Sequence, residues 1–247
     1  MIRATFVTII TFLYIVVVGF PYLIHAWLTK NTDRIYQIGM TGARLAIWLS
    51  GVRLEVAGLE KIPHGRAAIY MPNHQSNCDP PAVISILPPV LVIAKQEFFR
   101  VPVLGTAMVY RDFIPLDRKN RERAIAAVER AVASMKAGNS FLAFPEGTRS
   151  PDGRLQAFKK GLFLMAIKSG ALIVPISVSG ARKVMPKGQF VIHPGRVRIT
   201  IHDPISAADY APEDRGKLIE LTREAILKGL DPEERPLGEA VTVGEKP

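Results

Sequence analysis

A histidine and an aspartate five positions apart, His74 and Asp79, lie in the polar stretch "YMPNHQSNCDPPAV" (residues 70–83), with the chain's single cysteine, Cys78, between them. In an α-helix that offset turns about 500° and leaves the two side chains roughly 140° apart. In a strand, an odd spacing sends them to opposite faces. They meet only if the chain bends between them, and Asn77 with the pair Pro80-Pro81 favours a bend or a helix start. So bent, they form two-thirds of a serine-protease type of triad. The carboxylate holds the imidazole tautomer and steadies its charged form, while the other ring nitrogen takes a proton. No G-x-S-x-G elbow supplies a serine. The reacting hydroxyl can then belong to the substrate, which points to direct acyl transfer without an acyl-enzyme. Other readings stay open on these residues alone. His74, Cys78 and Asp79 could hold zinc, although no second paired Cys or His motif accompanies them. Ser76 or Cys78 could act as nucleophile, although nothing in the sequence activates either. An ordinary polar turn is the plainest alternative.

Three further stretches carry chemistry. In "GTAMVYRDFIPLDRKNRERA", the cations Arg118, Lys119, Arg121 and Arg123 gather where a helix is predicted to begin. Cations there oppose the helix dipole unless an anion is bound, and a guanidinium can engage two oxygens of a phosphate. In "FLAFPEGTRSPDG", a buried-looking strand runs straight into Pro145-Glu146-Gly147-Thr148-Arg149. Polar loops at the carboxyl ends of strands are where α/β folds bind ligands. Gly147 lets backbone approach a ligand, Thr148 offers a hydroxyl, Arg149 offers charge, and Glu146 can orient an Arg or a substrate hydroxyl. This is not a Walker loop, because G-x-x-x-x-G-K-[ST] is absent. The fourth stretch, "FKKGLFLMAIKSGALIVPISVSG", brings Lys159 and Lys160 before an apolar helix and a strand around Pro175.

The elements that must position these residues alternate between strand and helix. "VRLEV", "AAIYM", "LVIA", "SFLAF", "LIVPISV", "FVIHP" and "VRITIHD" read as strands. "RERAIAAVERAVASMKAG" reads as a helix with Ile125, Val128, Val132 and Met135 on one face and Gly138 as its stop. "KKGLFLMAIKSG" and "PEDRGKLIELTREAILKG" read as helices too. The pattern predicts an α/β fold with a mostly parallel or mixed central sheet flanked by helices.

Ahead of that body, residues 4–29 contain no Asp, Glu, Lys or Arg, and as one helix these 26 residues would extend roughly 39 Å, enough to cross a bilayer. Gly19 and Pro21 predict a kink or break within it, so that the segment spans with a kink or dips in and returns. A cleaved signal peptide is the alternative, but no clear small-x-small site follows. A second helix is predicted over "NTDRIYQIGMTGARLAIWLSG", with Gly39, Gly42, Ala43 and Ala46 allowing close packing of a neighbour. Together they predict an N-terminal two-helix membrane-anchoring motif over residues 1–50. An α/β domain follows over 51–230, and a loosely ordered tail over 231–247.

Composition narrows the partners. The formal net charge is +10, from 32 basic and 22 acidic residues, which favours an anionic partner. Between Lys95 and Lys168 there are 14 basic against 7 acidic residues. No zinc-finger spacing or aromatic RNA-binding signature is present, which speaks against nucleic acid. A single cysteine excludes an internal disulfide framework and fits a reducing compartment. The basic surplus after the apolar segment predicts a domain on the cytoplasmic side of a membrane.

Taken in order, the four stretches resemble the glycerolipid acyltransferase family, particularly bacterial 1-acyl-glycerol-3-phosphate acyltransferases. That family's N-H-x4-D is matched by Asn73, His74 and Asp79, its F-P-E-G-T-R-S by residues 144–150, and its V-P-[IV] strand by Val174, Pro175 and Ile176. The second block, G-x-x-F-I-D-R in the family, keeps Phe113, Ile114, Asp117 and Arg118 but inserts Pro115-Leu116. The resemblance implies transfer of a fatty acyl group from acyl-CoA or acyl carrier protein to the sn-2 hydroxyl of 1-acyl-sn-glycerol-3-phosphate (lysophosphatidic acid), giving phosphatidic acid, with no metal and no cofactor. It implies His74 as general base and Asp79 as its orienting partner. Arg118, Glu146, Gly147, Thr148 and Arg149 would hold the acceptor's glycerol phosphate, with Lys95 and Lys160 as further phosphate ligands. Membrane lipids are then its surroundings, at the cytoplasmic face of a cell's inner membrane. The same chemistry on lyso-ornithine lipid, another lysophospholipid or glycerol-3-phosphate is the alternative, and a non-enzymatic lipid-binding protein or a lipid hydrolase lies further off.

Overall fold

The computed structural model describes residues 2–117, 120–189 and 191–237. An apolar helix opens the chain: α1 (Ile2–Tyr14), a π-helical turn (Ile15–Gly19) and α2 (Phe20–Thr29) follow without interruption. Of the kink or break expected at Gly19 and Pro21, the helix shows no break: it runs on through a π turn. The widened turn absorbs the hydrogen bond that proline disrupts, with the N–H of Phe20 reaching back to the carbonyl of Ile15. The 25 residues Thr5–Thr29 are long and apolar enough to cross a membrane, and Phe12, Val17, Trp27 and Leu28 point outward from the fold. α3 (Asp33–Leu49) returns alongside. The contact is close because Gly42 has no side chain: a Cβ there would sit 2.7 Å from the Tyr14 ring. The Tyr14 hydroxyl donates to the Ile38 carbonyl at 2.8 Å.

The body then alternates β1 (Val52–Ala57), β2 (Ala68–Pro72), α4 (Asp79–Ile84), β3 (Leu91–Lys95), α5 (Leu104–Tyr110), β4 (Ile114–Leu116), α6 (Arg121–Lys136), β5 (Phe141–Leu142), α7 (Lys160–Ser169), β6 (Leu172–Ser179), α8 (Ala181–Val184), β7 (Gly195–Ile201), β8 (Ile205–Ser206) and α9 (Arg215–Gly229). The strands form one mixed sheet in the order β1-β7-β6-β2-β5-β3-β4, with β8 beside β6. From β6 to β4 every neighbour is parallel, and β7 runs antiparallel to β6. A sheet covered on both faces needs apolar side chains on both, which is why its central strands read as unbroken apolar runs. Tyr70, Leu142 and Val174 pack on one face, and Ile69, Met71, Phe141 and Ile173 on the other.

Several expectations are corrected. On α6 the buried residues are Ala127, Ala131 and Met135, while Ile125 is exposed, because alanines let the helix lie close on the sheet. The short strand β4 escaped detection because Pro115 sits within it. Proline is tolerated there because β4 is the sheet's outer edge. Pro115-Leu116 therefore extend a strand, paired with Ala94 and Lys95. Residues 191–194 of the run "FVIHP" form no strand, and His193 N–H donates to the Val184 carbonyl, while Phe190 lies outside the described residues. Pro175 lies in the central strand β6, where its missing N–H faces the gap at which β7 gives way to β8.

Residues 231–235 are hydrogen-bonded to the body of the fold, Leu237 is exposed, and 238–247 lie outside the described residues. The buried Glu234 carboxylate accepts from the Ser179 hydroxyl and from Gly180 N–H, and its carbonyl accepts from Leu155 N–H at 2.9 Å. Glu234→Ala strands both buried donors, so it should cost about 2–4 kcal/mol. Denaturant unfolding of the full chain measures this. An unchanged midpoint would mean the strap carries no stability.

Candidate active site

At the end of β2, Asn73 pins the chain to β6: its amide donates to the Val178 carbonyl at 2.9 Å and accepts from Val178 N–H at 2.6 Å. The next residue is His74. The chain then curls through a turn at Asn77-Cys78 into α4, and Asp79, its first residue, points back into the curl. One carboxylate oxygen of Asp79, Oδ2, accepts three N–H bonds: from His74 Nδ1 at 2.8 Å, Gln75 N at 2.6 Å and Ser76 N at 2.7 Å. The bend that the five-residue spacing demanded is thus tied by the aspartate itself. With Nδ1–H donated to Asp79, the lone pair sits on Nε2. The imidazole is stacked on Phe144, ring centroids 4.0 Å apart.

The other residues inside the curl face the protein. The Ser76 hydroxyl donates to the Met185 carbonyl and accepts from Cys78 N–H. The Cys78 thiol is buried, and burial with the nearby Asp79 pushes its pKa up to about 12. Neither is poised as a nucleophile. Among the described residues no group of three or more His, Cys, Asp or Glu could hold a metal ion.

β5 delivers the second loop. Glu146 is buried and joins the loops: Oε1 accepts from His74 N–H at 2.6 Å, and Oε2 accepts from Gln156 N–H at 3.0 Å and from the Gln156 amide at 3.2 Å. Both oxygens are engaged by the protein, so Glu146 ties the His74 loop to the Gln156 loop. Ser150 N–H closes the junction on the His74 carbonyl at 2.7 Å. Burial pushes the Glu146 pKa from 4.5 to about 7, past the opposing pull of the three N–H donors. Gly147 takes φ +73°, and a Cβ there would press on the Lys159 side chain at 3.2 Å. Thr148 is exposed beside it. The Nη1 of Arg149 is buried and has no hydrogen-bond partner among the described residues.

Lys95 ends β3 at the same sheet edge but pairs with Glu97 at 2.9 Å. Lys160 opens α7 and is exposed. Arg118 lies outside the described residues, one position beyond Asp117, which pairs with Arg123 at 3.4 Å. The structure thus brings together His74, Asp79, Glu146, Gly147, Thr148 and Arg149. Two partners went unseen in the sequence: Phe144 beneath the imidazole and Gln156 behind Glu146. Phe144 carried a signal as part of the matched block, whereas Gln156 carried none.

The family model described as "Acyltransferase" matches residues 53–179. The chain is 39% identical over 173 residues to a chloroplastic 1-acyl-sn-glycerol-3-phosphate acyltransferase of Arabidopsis thaliana, covering 68% of this chain and 49% of that protein. It therefore spans about half the length of that relative. It is 30% identical over 189 residues to the 1-acyl-sn-glycerol-3-phosphate acyltransferase of Borreliella burgdorferi, covering 76% of each. The crystal structure of the 1-acyl-sn-glycerophosphate acyltransferase PlsC from Thermotoga maritima superimposes with a TM-score of 0.79 at 29% identity, over 92% of this chain and 93% of that one.

The Glu146 shift has a thermodynamic consequence. The unfolded chain releases this proton near 4.5 and the folded one near 7, so between them the native state holds one proton more. The contribution is present below 4.5 and is lost as pH rises to about 7. Glu146→Gln should flatten that slope in unfolding midpoints measured across the window, whereas an unaltered slope would assign the titration to another group.

Proposed function

The chain belongs to the acyltransferase family, and from that premise we propose that it acylates the sn-2 hydroxyl of 1-acyl-sn-glycerol-3-phosphate, with acyl-CoA or acyl carrier protein as donor. The observation that carries the reading is the 2.8 Å bond between His74 Nδ1 and a buried Asp79, which leaves Nε2 as a base, while the neighbouring Ser76 hydroxyl is engaged by the protein and the Cys78 thiol is buried. Nε2 takes the proton of the acceptor hydroxyl as that oxygen attacks the thioester carbonyl. The C–O bond forms, the C–S bond breaks, and the imidazolium returns the proton to the departing thiolate. The products are phosphatidic acid and a free thiol. Asp79 steadies the imidazolium without taking its proton. No metal or cofactor enters these steps.

The buried, unpartnered Nη1 of Arg149 supports a phosphate beside the exposed Thr148. Lys160 at the start of α7 adds charge, and Arg118 retains its proposed role as a phosphate ligand. The apolar helix Thr5–Thr29 supports a protein that meets its lysolipid at a membrane. We assign the domain to the cytoplasmic face of the inner membrane, on the basic surplus that follows this helix.

His74→Ala should lower turnover of lysophosphatidic acid by about 10²–10⁴-fold, the usual worth of a general base, in a variant that still folds. A folded variant that keeps near-normal turnover would sink the mechanism. Fatty acid released without any acceptor would mean a hydrolase instead. Arg149→Ala should raise the acceptor KM by about tenfold or more and leave the donor KM in place. A change confined to the donor would move Arg149 off the acceptor phosphate.

A further inference from the structure

At the opposite end of the sheet from β4 is an open cleft of about 890 Å³, lined in part by Arg3, Phe6, Trp48, Arg53, Pro194 and Arg196. It lies where α1 begins, α3 ends, and β1 and β7 start. Arg3 is held there by its Nε–H bond to the Leu49 carbonyl at 3.0 Å, the last residue of α3. Arg196 reaches Glu55 at 3.4 Å across exposed surface, and Arg53 is exposed. No lining residue among the described ones is acidic. Phe6 and Trp48 remain 51% and 72% exposed, large apolar side chains at the rim of a charged cleft.

The topology fixes which way this cleft faces. β7 is antiparallel to β6, with Arg198 opposite Ser179, so β7 starts beyond the carboxyl end of β6. β1 is parallel to β7, with Val52 opposite Gly195. The starts of β1 and β7 therefore share the sheet edge at which β2 delivers His74. Three inter-strand steps separate β1 from β2, roughly 14 Å. The cleft is beside the reaction site but separate from it.

We propose that this cleft is a second lipid site, which takes the phosphate headgroup of an anionic membrane phospholipid other than the acceptor. Guanidinium groups bind phosphate through paired N–H bonds, and three arginines line this cleft. Phe6 belongs to the same outward-facing apolar helix as Phe12 and Trp27, so the ligand's chains have an apolar surface to follow. Tryptophan at a boundary between apolar helix and charged groups suits the headgroup level of a bilayer. A soluble phosphate would use the arginines but leave that apolar rim without a partner. The inference rests on the membrane association proposed above, and does not depend on acyl transfer.

The test is flotation of the purified full chain with vesicles of phosphatidylcholine alone, and of phosphatidylcholine with phosphatidylglycerol. The wild type should bind both and prefer the second. Arg53→Glu with Arg196→Glu should keep binding to neutral vesicles while losing about tenfold or more of the anionic preference. Arg53→Gln with Arg196→Gln should lose it in part, and unfolding midpoints confirm that both variants fold. Arg130→Glu with Lys136→Glu, the same charge change on the exposed face of α6, should retain the preference. Equal loss in that control would reduce the effect to diffuse charge and overturn the site, as would an undiminished preference in the cleft variants. Excess inorganic phosphate at constant ionic strength should leave the preference in place; abolishing it would assign the cleft to free phosphate. Absence of binding to any vesicle would remove the membrane reading along with the site, whereas acyl transfer to detergent-dispersed lysolipid reports on the chemistry separately.

Discussion

A single carboxylate oxygen organises the centre of this molecule. Asp79 Oδ2 accepts from the His74 ring and from two successive backbone N–H groups, so the same atom that orients the imidazole also closes the loop carrying it. The aspartate is fully buried, where an unmade bond costs far more than at the surface. The loop geometry and the histidine's tautomer are therefore two consequences of one set of bonds. Asn73 extends the arrangement to the sheet by satisfying both main-chain groups of Val178. Glu146 extends it to the neighbouring loop.

Glu146 illustrates how such a site is held at a cost. Its burial raises its pKa to about 7, so near neutral pH it contributes less to stability than an exposed glutamate would. In return it bridges His74 and Gln156, which sit on loops that follow different strands. The C-terminal strap acts on the same region from outside, since Glu234 binds Leu155 and Arg154 binds the Arg235 carbonyl at 2.7 Å. Residues 150–156 are thus clamped between the catalytic loop and the end of the fold.

The apolar helix is docked to this body rather than hung from it. Leu23 and Ala26 of α2 pack with Ile35 of α3 and with Val103, Ala107 and Tyr110 at α5. α3 reaches the far side of α4 through Arg44, whose guanidinium donates twice to the Ser85 carbonyl. The apolar helix and α3 are therefore coupled through α4 and α5 to the sheet edge carrying His74. Their outward side chains include exposed Phe12, Val17, Trp27 and Leu28.

Local chemistry is what the sequence by itself determined. Alternating apolar runs and helical periods specify an α/β body, because a sheet covered on both faces leaves that imprint on each strand. The blocks around His74 and Glu146 identify the chemistry, because their residue types and order are distinctive. The requirement for a bend between His74 and Asp79 follows from spacing alone. Only the tertiary structure decided how the bend is tied, that Glu146 faces inward to Gln156, and that Pro21 is absorbed in a π turn. It also decided that Glu234, 160 positions from His74 in the chain, straps the neighbouring loop. These are contacts between segments far apart in sequence, and neither propensity nor periodicity carries information about a partner that only folding brings near.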